Sequence, residues 1–442
     1  MVATPPAADD GHRGITRVVI VGAGFAGVAC ARRLADEPRA HVTIIDSTGY
    51  HQFQPLLYQI ATAELAPEDI RFDLAGMFAR NSNVETRTAE VVSIDPSRPS
   101  VTLADGGTVE ADVLVVAAGA QANFFRTPGA EEFAVPLYSL ADAERIRSRL
   151  IELFRDTAAK PELADEGTLT FVVVGAGPTG VETAGALAEF VHDVMPHVHP
   201  HLTTVGSKVI LVDIGHTVLS AFSDEAHTYA AKSLRRRGVE LRLAVSVKEV
   251  AADHVTLGDG TTIKTGLVIW GGGQMAAPLA FGSGLPQGRG GRIDVRPDLT
   301  VPGFPAVYAL GDVANIPTGD GNGLPQLGSV AQQSGDWAGG NIIADIEGTG
   351  RQSFEYKDKG IMAMIGRKAA VAEIGQRRHE LDGRLAFAAW LGVHAQLLAN
   401  TGAEMRAFIA WADEFYLRPG HRSAELLDPS KIDTPRIGKG AP

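Results

Sequence analysis

The feature that most constrains the fold is a motif that the chain contains twice: a short apolar strand that leads directly into a glycine-rich turn and then into a helix. The first copy has glycines at positions 22, 24 and 27, and each glycine of the second copy stands 153 positions later. In such a turn the first glycine allows a sharp reversal, the second lets the backbone approach a pyrophosphate, and the third lets the helix pack closely on the strand. The motif therefore predicts two dinucleotide-binding units of common design.

Each copy is followed by a second strand that ends in an acid, which is Asp46 in the first unit and Asp213 in the second. A carboxylate in that position accepts hydrogen bonds from a ribose diol. In the second unit it would also repel a 2′-phosphate, and residues 214–219 contain no arginine to bind one. We therefore expect this unit to prefer NADH to NADPH. Two dinucleotide sites in one chain indicate hydride transfer between a nicotinamide and a bound flavin.

These patterns predict an α/β fold with two Rossmann-like dinucleotide-binding domains and a C-terminal helical module. A second pair of matching segments, 107–121 and 260–274, shares the 153-residue offset and supports the duplication. The predicted boundaries are a disordered tail at 1–15, the first domain at 16–125 and 290–350, the second domain at 126–289, and the C-terminal module at 351–442.

The composition narrows the range of functions. The chain has 40 Lys and Arg against 52 Asp and Glu, and its formal net charge of −12 argues against a nucleic-acid partner. Its single cysteine, Cys30, excludes an intrachain disulfide, a cysteine-ligated structural zinc and a CxxC redox pair. Histidines at 192, 197, 199 and 201 have a spacing that could ligate a metal. Prolines interrupt that segment, however, and we predict no metal site.

No segment of the sequence indicates export or membrane insertion. The first dozen residues lack the apolar core of a secretory signal. No stretch reaches the ~18 uninterrupted apolar residues of a spanning helix. We therefore expect a cytoplasmic protein whose cysteine is reduced.

Four segments together resemble one known family, the type II NADH dehydrogenases (NADH:quinone oxidoreductases). They are VVIVGAGFAG at 18–27, HQFQPLLYQ at 51–59, VGAGPTGVE at 174–182 and YKDKG at 356–360. The resemblance extends from about residue 16 to 418, and the segment at 51–59 is its most specific part. It implies a protein that oxidises NADH and reduces a quinone, menaquinone or ubiquinone, without pumping protons.

The resemblance also implies which residues hold the cofactors. The first domain would bind FAD through Gly22, Gly24, Phe25, Ala26, Gly27, Asp46, Val91, Ala118, Gly119, Asp312, Val330 and Ala331. The second would bind NADH through Gly175, Gly177, Gly180 and Asp213. Three residues would be catalytic: Glu182 near the nicotinamide and a proton route, and Gln333 and Lys359 on the quinone side. From its spacing alone, a solvated helix residue is the commoner interpretation of Glu182.

Departures from the family pattern lie where the electron acceptor would approach. Ser329 and Ser334 stand in the segment that carries Gln333, and the stretch 68–73 also differs from the usual sequence. They leave two alternatives open. One is a flavin oxidoreductase with a soluble acceptor such as oxygen, a protein or a biosynthetic metabolite. The other is a redox-sensing NADH-binding module.

The C-terminal region contains two helical patterns, with apolar faces at 387, 390, 391, 394 and 398 and at 405, 408, 409, 412 and 416. This region resembles the family's membrane-docking helices, with aromatic or aliphatic side chains at Trp390, Leu391, Trp411, Phe415 and Tyr416. An interfacial helix usually carries Lys and Arg on its polar face, whereas Gln396, Asn400, Glu404, Asp413 and Glu414 occupy this one. A peripheral position on the cytoplasmic face of the membrane and a homodimer or capping surface both remain open.

Overall fold

The computed structural model describes residues 14–199, 202, 206–318, 323–375, 377–397, 409–413 and 420–427. Within these residues the chain forms two compact units. The first contains residues 14–51, Phe72–Gln121 and Met275–Lys357; the second contains Gln52–Arg71, Ala122–Gln274 and the residues from 358 onward. Positions 1–13 of the predicted disordered tail lie outside the described residues.

The core of the first unit is a largely parallel sheet. In spatial order its strands are Thr300–Val301, Phe304–Ala309, Val113–Val116, Thr16–Val21, Ala40–Asp46 and Val84–Thr88. Only Thr300–Val301 runs antiparallel to its neighbour among these strands. Val18 and Ile20 are fully buried, as expected for a parallel strand that is covered on both faces. The helices Phe25–Leu34 and Gly328–Glu347 pack against each other in this unit.

The second unit repeats this arrangement around its own glycine turn. Its parallel strands lie in the order Ala134–Pro136, Leu267–Trp270, Thr170–Val174, Lys208–Val212 and Val239–Arg242. The longer helices of this sheet region are Leu140–Ala159, Pro178–Glu189 and Asp224–Arg236. In both units the strand before the glycine turn lies between the strand that ends in the acid and a later strand of the same unit. The α/β architecture predicted from the sequence is confirmed.

Smaller elements complete both units. Antiparallel sheets form from Val91–Asp95, Ser100–Leu103 and Thr108–Glu110, from Val247–Val250, His254–Leu257 and Thr262–Lys264, and from Gly360–Gly366, Ala369–Ile374 and His379–Asp382. The other strands are Tyr50–Gln52, Arg71–Asp73, Ala120–Ala122, Gln274–Ala276, Ile293–Asp294 and Ala314–Asn315. Short helices span Leu57–Ala61, Pro67–Ile70, Leu74–Phe78, Ala130–Phe133, Met195–Val198, Pro278–Phe281 and His421–Leu426. There are 3₁₀ turns at Gln54–Leu56, Pro161–Glu166, Arg289–Gly291 and Gly311–Val313, and a π-helical turn at Phe190–Val194.

The division of the chain differs from the sequence-based boundaries in several segments. Residues 275–289, predicted for the second domain, and 351–357, predicted for the C-terminal module, fall in the first unit. Residues Gln52–Arg71 fall in the second unit, where the helix Leu57–Ala61 packs on Leu140–Ala159 and Pro178–Glu189. The described residues from 358 onward also belong to that unit, and the helix Gly383–Leu397 packs on one of its sheets. These two segments of the second unit contact elements that are distant from them in sequence. These tertiary contacts determine the unit to which each segment belongs.

The helix Gly383–Leu397 buries most of its predicted apolar face inside the second unit. Phe387, Trp390 and His394 are buried. In the second pattern the prediction is wrong at Ile409, which is exposed, whereas Trp411, which lies outside that predicted face, is buried. Positions 398, 405, 408 and 416 of these patterns, together with Phe415, lie outside the described residues. Among the described residues of this region, the large apolar side chains that are exposed are Leu385, Val393, Leu397 and Ile409. Along the described parts of the chain, we find no helix with the length and apolar character needed to cross a bilayer.

Candidate active site: two glycine turns and a buried polar cluster

The two glycine turns have nearly the same backbone geometry. Gly22 and Gly175 have φ values of +99° and +100°, in the left-handed region that favours glycine. A Cβ atom added at Gly27 would overlap the carbonyl oxygen of Gly22, and one added at Gly180 would overlap that of Gly175. The first and third glycines are therefore required by the turn itself, in both units.

The middle glycine of each turn faces open space. No atom of the described residues lies within 4 Å of a Cβ added at Gly24 or Gly177. Each of these glycines precedes the first residue of a helix. Within the described structure, neither helix has a side-chain cap or an acidic residue in its first turn. Their first N–H groups can therefore bind an anion such as a pyrophosphate.

The two strand-end acids lie directly against these turns. Asp46 accepts a hydrogen bond at Oδ2 from the N–H of Ala23 at 2.8 Å. Asp213 accepts one at Oδ2 from the N–H of Ala176 at 2.6 Å. Their Oδ1 atoms accept from backbone N–H groups two residues further on. These bonds fix each carboxylate beside the open middle glycine, where a ribose attached to the pyrophosphate would reach it.

Most other residues implied for FAD lie around the first turn. Ala118 is close to Gly22, and Gly311, the neighbour of Asp312, packs beside Ala26 and Ala331. A Cβ added at Gly328 would lie 3.6 Å from the ring of Phe25, which places Val330, two residues later, near the same turn. Gly119 has a φ of +73° and accepts a hydrogen bond from Ala277. Val91 starts a strand at the edge of the core.

His51 packs against the first glycine turn. The sequence analysis gave this residue no role of its own. Its Nδ1 lies 2.8 Å from the carbonyl oxygen of Ala23, and its ring meets Phe25 edge-on at 5.3 Å between centroids. Burial lowers the pKa of His51, so the ring is neutral at pH 7. A neutral imidazole can pack against the turn without placing a buried charge there.

Glu182 lies in a polar cluster inside the second unit and is not a solvated helix residue. Its Oε1 accepts a hydrogen bond from the N–H of Met364 at 3.1 Å. Burial raises the pKa of Glu182 from 4.5 to about 8, although the Met364 N–H and the indole of Trp390 both lower it. Glu182 can therefore hold or release a proton near physiological pH.

Residues from three other segments complete this cluster, and the sequence analysis named none of them as site residues. The hydroxyl of Tyr58 donates to Sδ of Met364 at 3.0 Å. The fully buried Gln59 accepts a hydrogen bond from Nε1 of Trp411 at 2.9 Å. Burial, followed by the charge of Glu182, raises the pKa of Tyr58 well above its usual range, so its hydroxyl stays protonated. The sequence held one signal for this cluster: Gln59 is a polar residue within the otherwise apolar run at 56–61.

The remaining two predicted catalytic residues lie in different units. Gln333 belongs to the first unit, and its side-chain amide is bonded to the backbone of Lys357. Lys359 belongs to the second unit and is exposed, and its carbonyl oxygen accepts a hydrogen bond from Gly375. Their proximity to an electron acceptor stays a prediction.

One histidine of the histidine-rich segment makes a local contact within its own helical region. His197 contacts the carbonyl oxygen of Asp193 one helical turn earlier, at 2.7 Å. His201 lies outside the described residues. In the part of the chain that the structure covers, no group of three or more His, Cys, Asp or Glu side chains has a metal-binding arrangement.

Cys30 lies on the helix Phe25–Leu34 and is completely buried. Burial raises the pKa of its thiol to about 12, so the reactive thiolate is absent at pH 7. We expect N-ethylmaleimide to label the native protein at least about tenfold more slowly than the unfolded chain. Intact-mass spectrometry measures the labelling, and NADH oxidation by the treated protein serves as the control. Rapid labelling with loss of activity would contradict an inert cysteine.

Comparison with known proteins gives the same picture. Residues 16–335 match the family described as pyridine nucleotide-disulphide oxidoreductase. The type II NADH:quinone oxidoreductase Ndh of Mycobacterium tuberculosis is 34% identical over 417 residues, which cover 90% of this chain and 88% of that protein.

Two solved structures share the fold. NDH2 from Plasmodium falciparum in complex with NADH superposes with a TM-score of 0.83 at 19% identity, over 92% of this chain and 99% of the other. The sulfide:quinone oxidoreductase of Aquifex aeolicus gives a TM-score of 0.70 at 20% identity, over 91% and 95%. The single buried cysteine argues against disulfide chemistry in this chain, despite the name of the wider family. By fold, motifs and sequence identity, the chain is an oxidoreductase that belongs to the type II NADH:quinone oxidoreductase family.

Proposed function

We propose that this protein binds FAD in its first unit and NADH in its second, and that it transfers electrons from NADH to menaquinone or ubiquinone without pumping protons. The observation that carries the proposal is the pair of matching glycine turns. Each has an open middle glycine, an uncapped helix and a carboxylate fixed beside the turn. Two such sites in one chain fit two dinucleotides. A flavin bound in the first supplies the chemistry of accepting a hydride and passing on two electrons.

The residues of each turn have separate tasks in this scheme. The backbone at Gly24 and Gly177 makes room for the pyrophosphates, and Asp46 and Asp213 accept hydrogen bonds from the riboses. Glu182 holds a proton at pH 7 and releases it near pH 8, as a residue on a proton route must do.

A two-step reaction tests the proposal. NADH is added without oxygen to purified protein loaded with FAD, and the visible flavin absorption should bleach. Adding a quinone should then restore the absorption, and quinol should form in equal amount. An unbleached flavin would contradict the NADH half, and a flavin that stays reduced with every quinone tested would contradict the acceptor half.

Asp213 should also determine the choice between NADH and NADPH. Its carboxylate would lie close to a 2′-phosphate and repel it, and we expect kcat/KM to favour NADH by about tenfold or more, which equals ~1.4 kcal/mol. Asp213→Ser should lose most of this preference. Asp253→Asn, an exposed change in the same unit, is the matched control. Steady-state rates with both nucleotides measure the effect, and an unchanged ratio in Asp213→Ser would contradict the assignment.

A soluble electron acceptor is the second candidate, and the structure weakens one of the three sequence departures that support it. Ser334 is fully buried, donates to the carbonyl oxygen of Ala331 at 2.9 Å and accepts from the N–H of Gly311 at 3.1 Å. It is a packing residue of the helix Gly328–Glu347. Ser329 and the stretch 68–73 remain as the departures that favour this candidate. Turnover with oxygen or soluble acceptors that exceeds turnover with quinones would support it.

Peripheral attachment to the cytoplasmic face of the membrane is part of the proposal. Leu385, Val393 and Leu397 are exposed on one helix, and Ile409 is exposed in the same unit. Their separations of eight and four residues place the first three on one face of the helix. Co-sedimentation with anionic lipid vesicles tests attachment. A stable dimer in solution that does not bind vesicles would instead assign this surface to self-association.

A further inference from the structure

One face of the helix Gly328–Glu347 holds an extended segment of the same unit. The segment, Arg351–Lys357, has neither helical nor strand structure, and we call it the strap. It is held by side chains at every fourth position of the helix, which lie on one face. These side chains are Ser329, Gln333, Trp337 and Asn341.

The strap begins near the end of the helix and runs back along it. Arg351 forms an ion pair with Asp345 at 2.8 Å. Asn341 then bonds to both backbone groups of Gln352: its Nδ2 donates to the carbonyl oxygen at 2.9 Å, and its Oδ1 accepts from the N–H at 2.8 Å. Trp337 donates to the same carbonyl oxygen at 3.1 Å. The first half of the strap is therefore firmly attached to the helix.

Gln333 repeats this arrangement two turns closer to the start of the helix. Its Nε2 donates to the carbonyl oxygen of Lys357 at 3.1 Å, and its Oε1 accepts from the N–H of Lys357 at 3.0 Å. The side-chain amide thus bonds to both backbone groups of one residue, in the way that a residue of a neighbouring β-strand does. The geometry gives this side chain a task that does not require contact with a substrate.

We call the two hydrogen bonds between Gln333 and the backbone of Lys357 the clamp. The clamp also restrains Tyr356, the residue before Lys357. The hydroxyl of Tyr356 lies 2.9 Å from Oγ of Ser329, in the first turn of the helix. That turn also carries Val330 and Ala331 and begins beside Phe25, at the first glycine turn. The Tyr356 hydroxyl therefore lies next to the site proposed for FAD, and a loosened strap would displace it from that position.

We propose that Gln333 is a positioning residue: by clamping Lys357 it holds the Tyr356 hydroxyl against Ser329, and this placement is needed for electrons to leave the first unit. The inference rests on the proposed function and deepens it. The strap belongs to the unit proposed for FAD, and the glycine turn proposed for NADH belongs to the other unit. Loss of the clamp should therefore slow reoxidation by the acceptor and leave reduction by NADH unchanged.

The test compares three variants in the full-length, FAD-loaded protein. Gln333→Met removes both hydrogen bonds at nearly constant volume. Gln333→Glu keeps an oxygen for the Lys357 N–H and loses the donor. Gln332→Met changes the exposed neighbour and is the matched control. Hydrogen exchange of the strap is followed by mass spectrometry, and both half-reactions are followed by stopped-flow absorbance.

We expect exchange at the Lys357 amide to be about tenfold faster in Gln333→Met, intermediate in Gln333→Glu and unchanged in Gln332→Met. Reoxidation by quinone should slow in the same order, while the rate of reduction by NADH stays within about twofold of wild type. Unchanged exchange in Gln333→Met would contradict the clamp. Faster exchange with normal reoxidation would contradict the positioning role.

Failure of the proposed function has a different signature. A wild-type protein that NADH reduces but no quinone reoxidises would contradict quinone reduction and leave the strap testable. Reoxidation by oxygen is then compared in the same variants. Equal rates in Gln333→Met and wild type would overturn the inference.

Discussion

Replacement of Gly177 by alanine should leave the fold intact and raise the KM for NADH by about 10- to 100-fold. Gly177 has a φ of −71°, which alanine adopts readily, and no described atom would contact the added methyl group. The methyl group would instead occupy the space in which the pyrophosphate approaches the backbone. Thermal unfolding and steady-state kinetics with NADH measure the two effects separately.

Gly180→Ala, three residues later, should behave differently. Its Cβ would overlap the carbonyl oxygen of Gly175, so the helix Pro178–Glu189 would have to move away from the strand before it. Such overpacking costs about 1–3 kcal/mol of stability. We therefore expect a lower Tm together with weaker NADH binding.

Gly24→Ala provides the matched comparison in the first unit. A Cβ there also meets no described atom, so stability should again be retained. Because this turn is proposed for FAD, the variant should retain less flavin after purification. A Gly177→Ala variant with normal KM, or a Gly24→Ala variant that loses NADH affinity and keeps its flavin, would contradict the assignment of the two units.

The sequence could predict the two turns because their geometry is local. Within one turn, the left-handed glycines and the close approach of the third glycine to the first depend on a few consecutive residues. The strand-end acids follow one strand later, and the structure places Asp46 and Asp213 against those same turns. Duplication made this inference stronger, because two independent copies had to satisfy the same spacing.

The cluster around Glu182 could not be predicted in this way. Tyr58, Met364 and Trp411 lie far apart along the chain, and only tertiary packing brings them together. The helix Gly383–Leu397 shows a related limit. Its periodicity correctly indicated a buried face but could not distinguish the interior of the protein from a membrane. The role of Gln333 also depends on a strap whose path leaves no periodic pattern in the sequence.

Replacement of Glu182 by glutamine should change how stability and activity depend on pH. The pKa of Glu182 rises from 4.5 to about 8 on folding, so the folded protein favours the protonated acid. The stabilisation that this preference contributes is complete below about pH 4.5 and is lost as the pH rises towards 8. The amide introduced by the substitution would not deprotonate, while its carbonyl oxygen could still accept from the N–H of Met364.

Glu182→Gln should therefore match wild type in stability near pH 4.5 and exceed it by about 1–3 kcal/mol near pH 8.5, after allowance for partial exposure. Glu166→Gln, an exposed change in the same unit, should show no such trend. Denaturant unfolding at several pH values measures the difference. The same variant should lose the inflection near pH 8 in the pH profile of NADH oxidation. Parallel stability curves for wild type and Glu182→Gln would show that the carboxyl group titrates normally, and Glu182 would then have no special capacity to hold a proton at neutral pH.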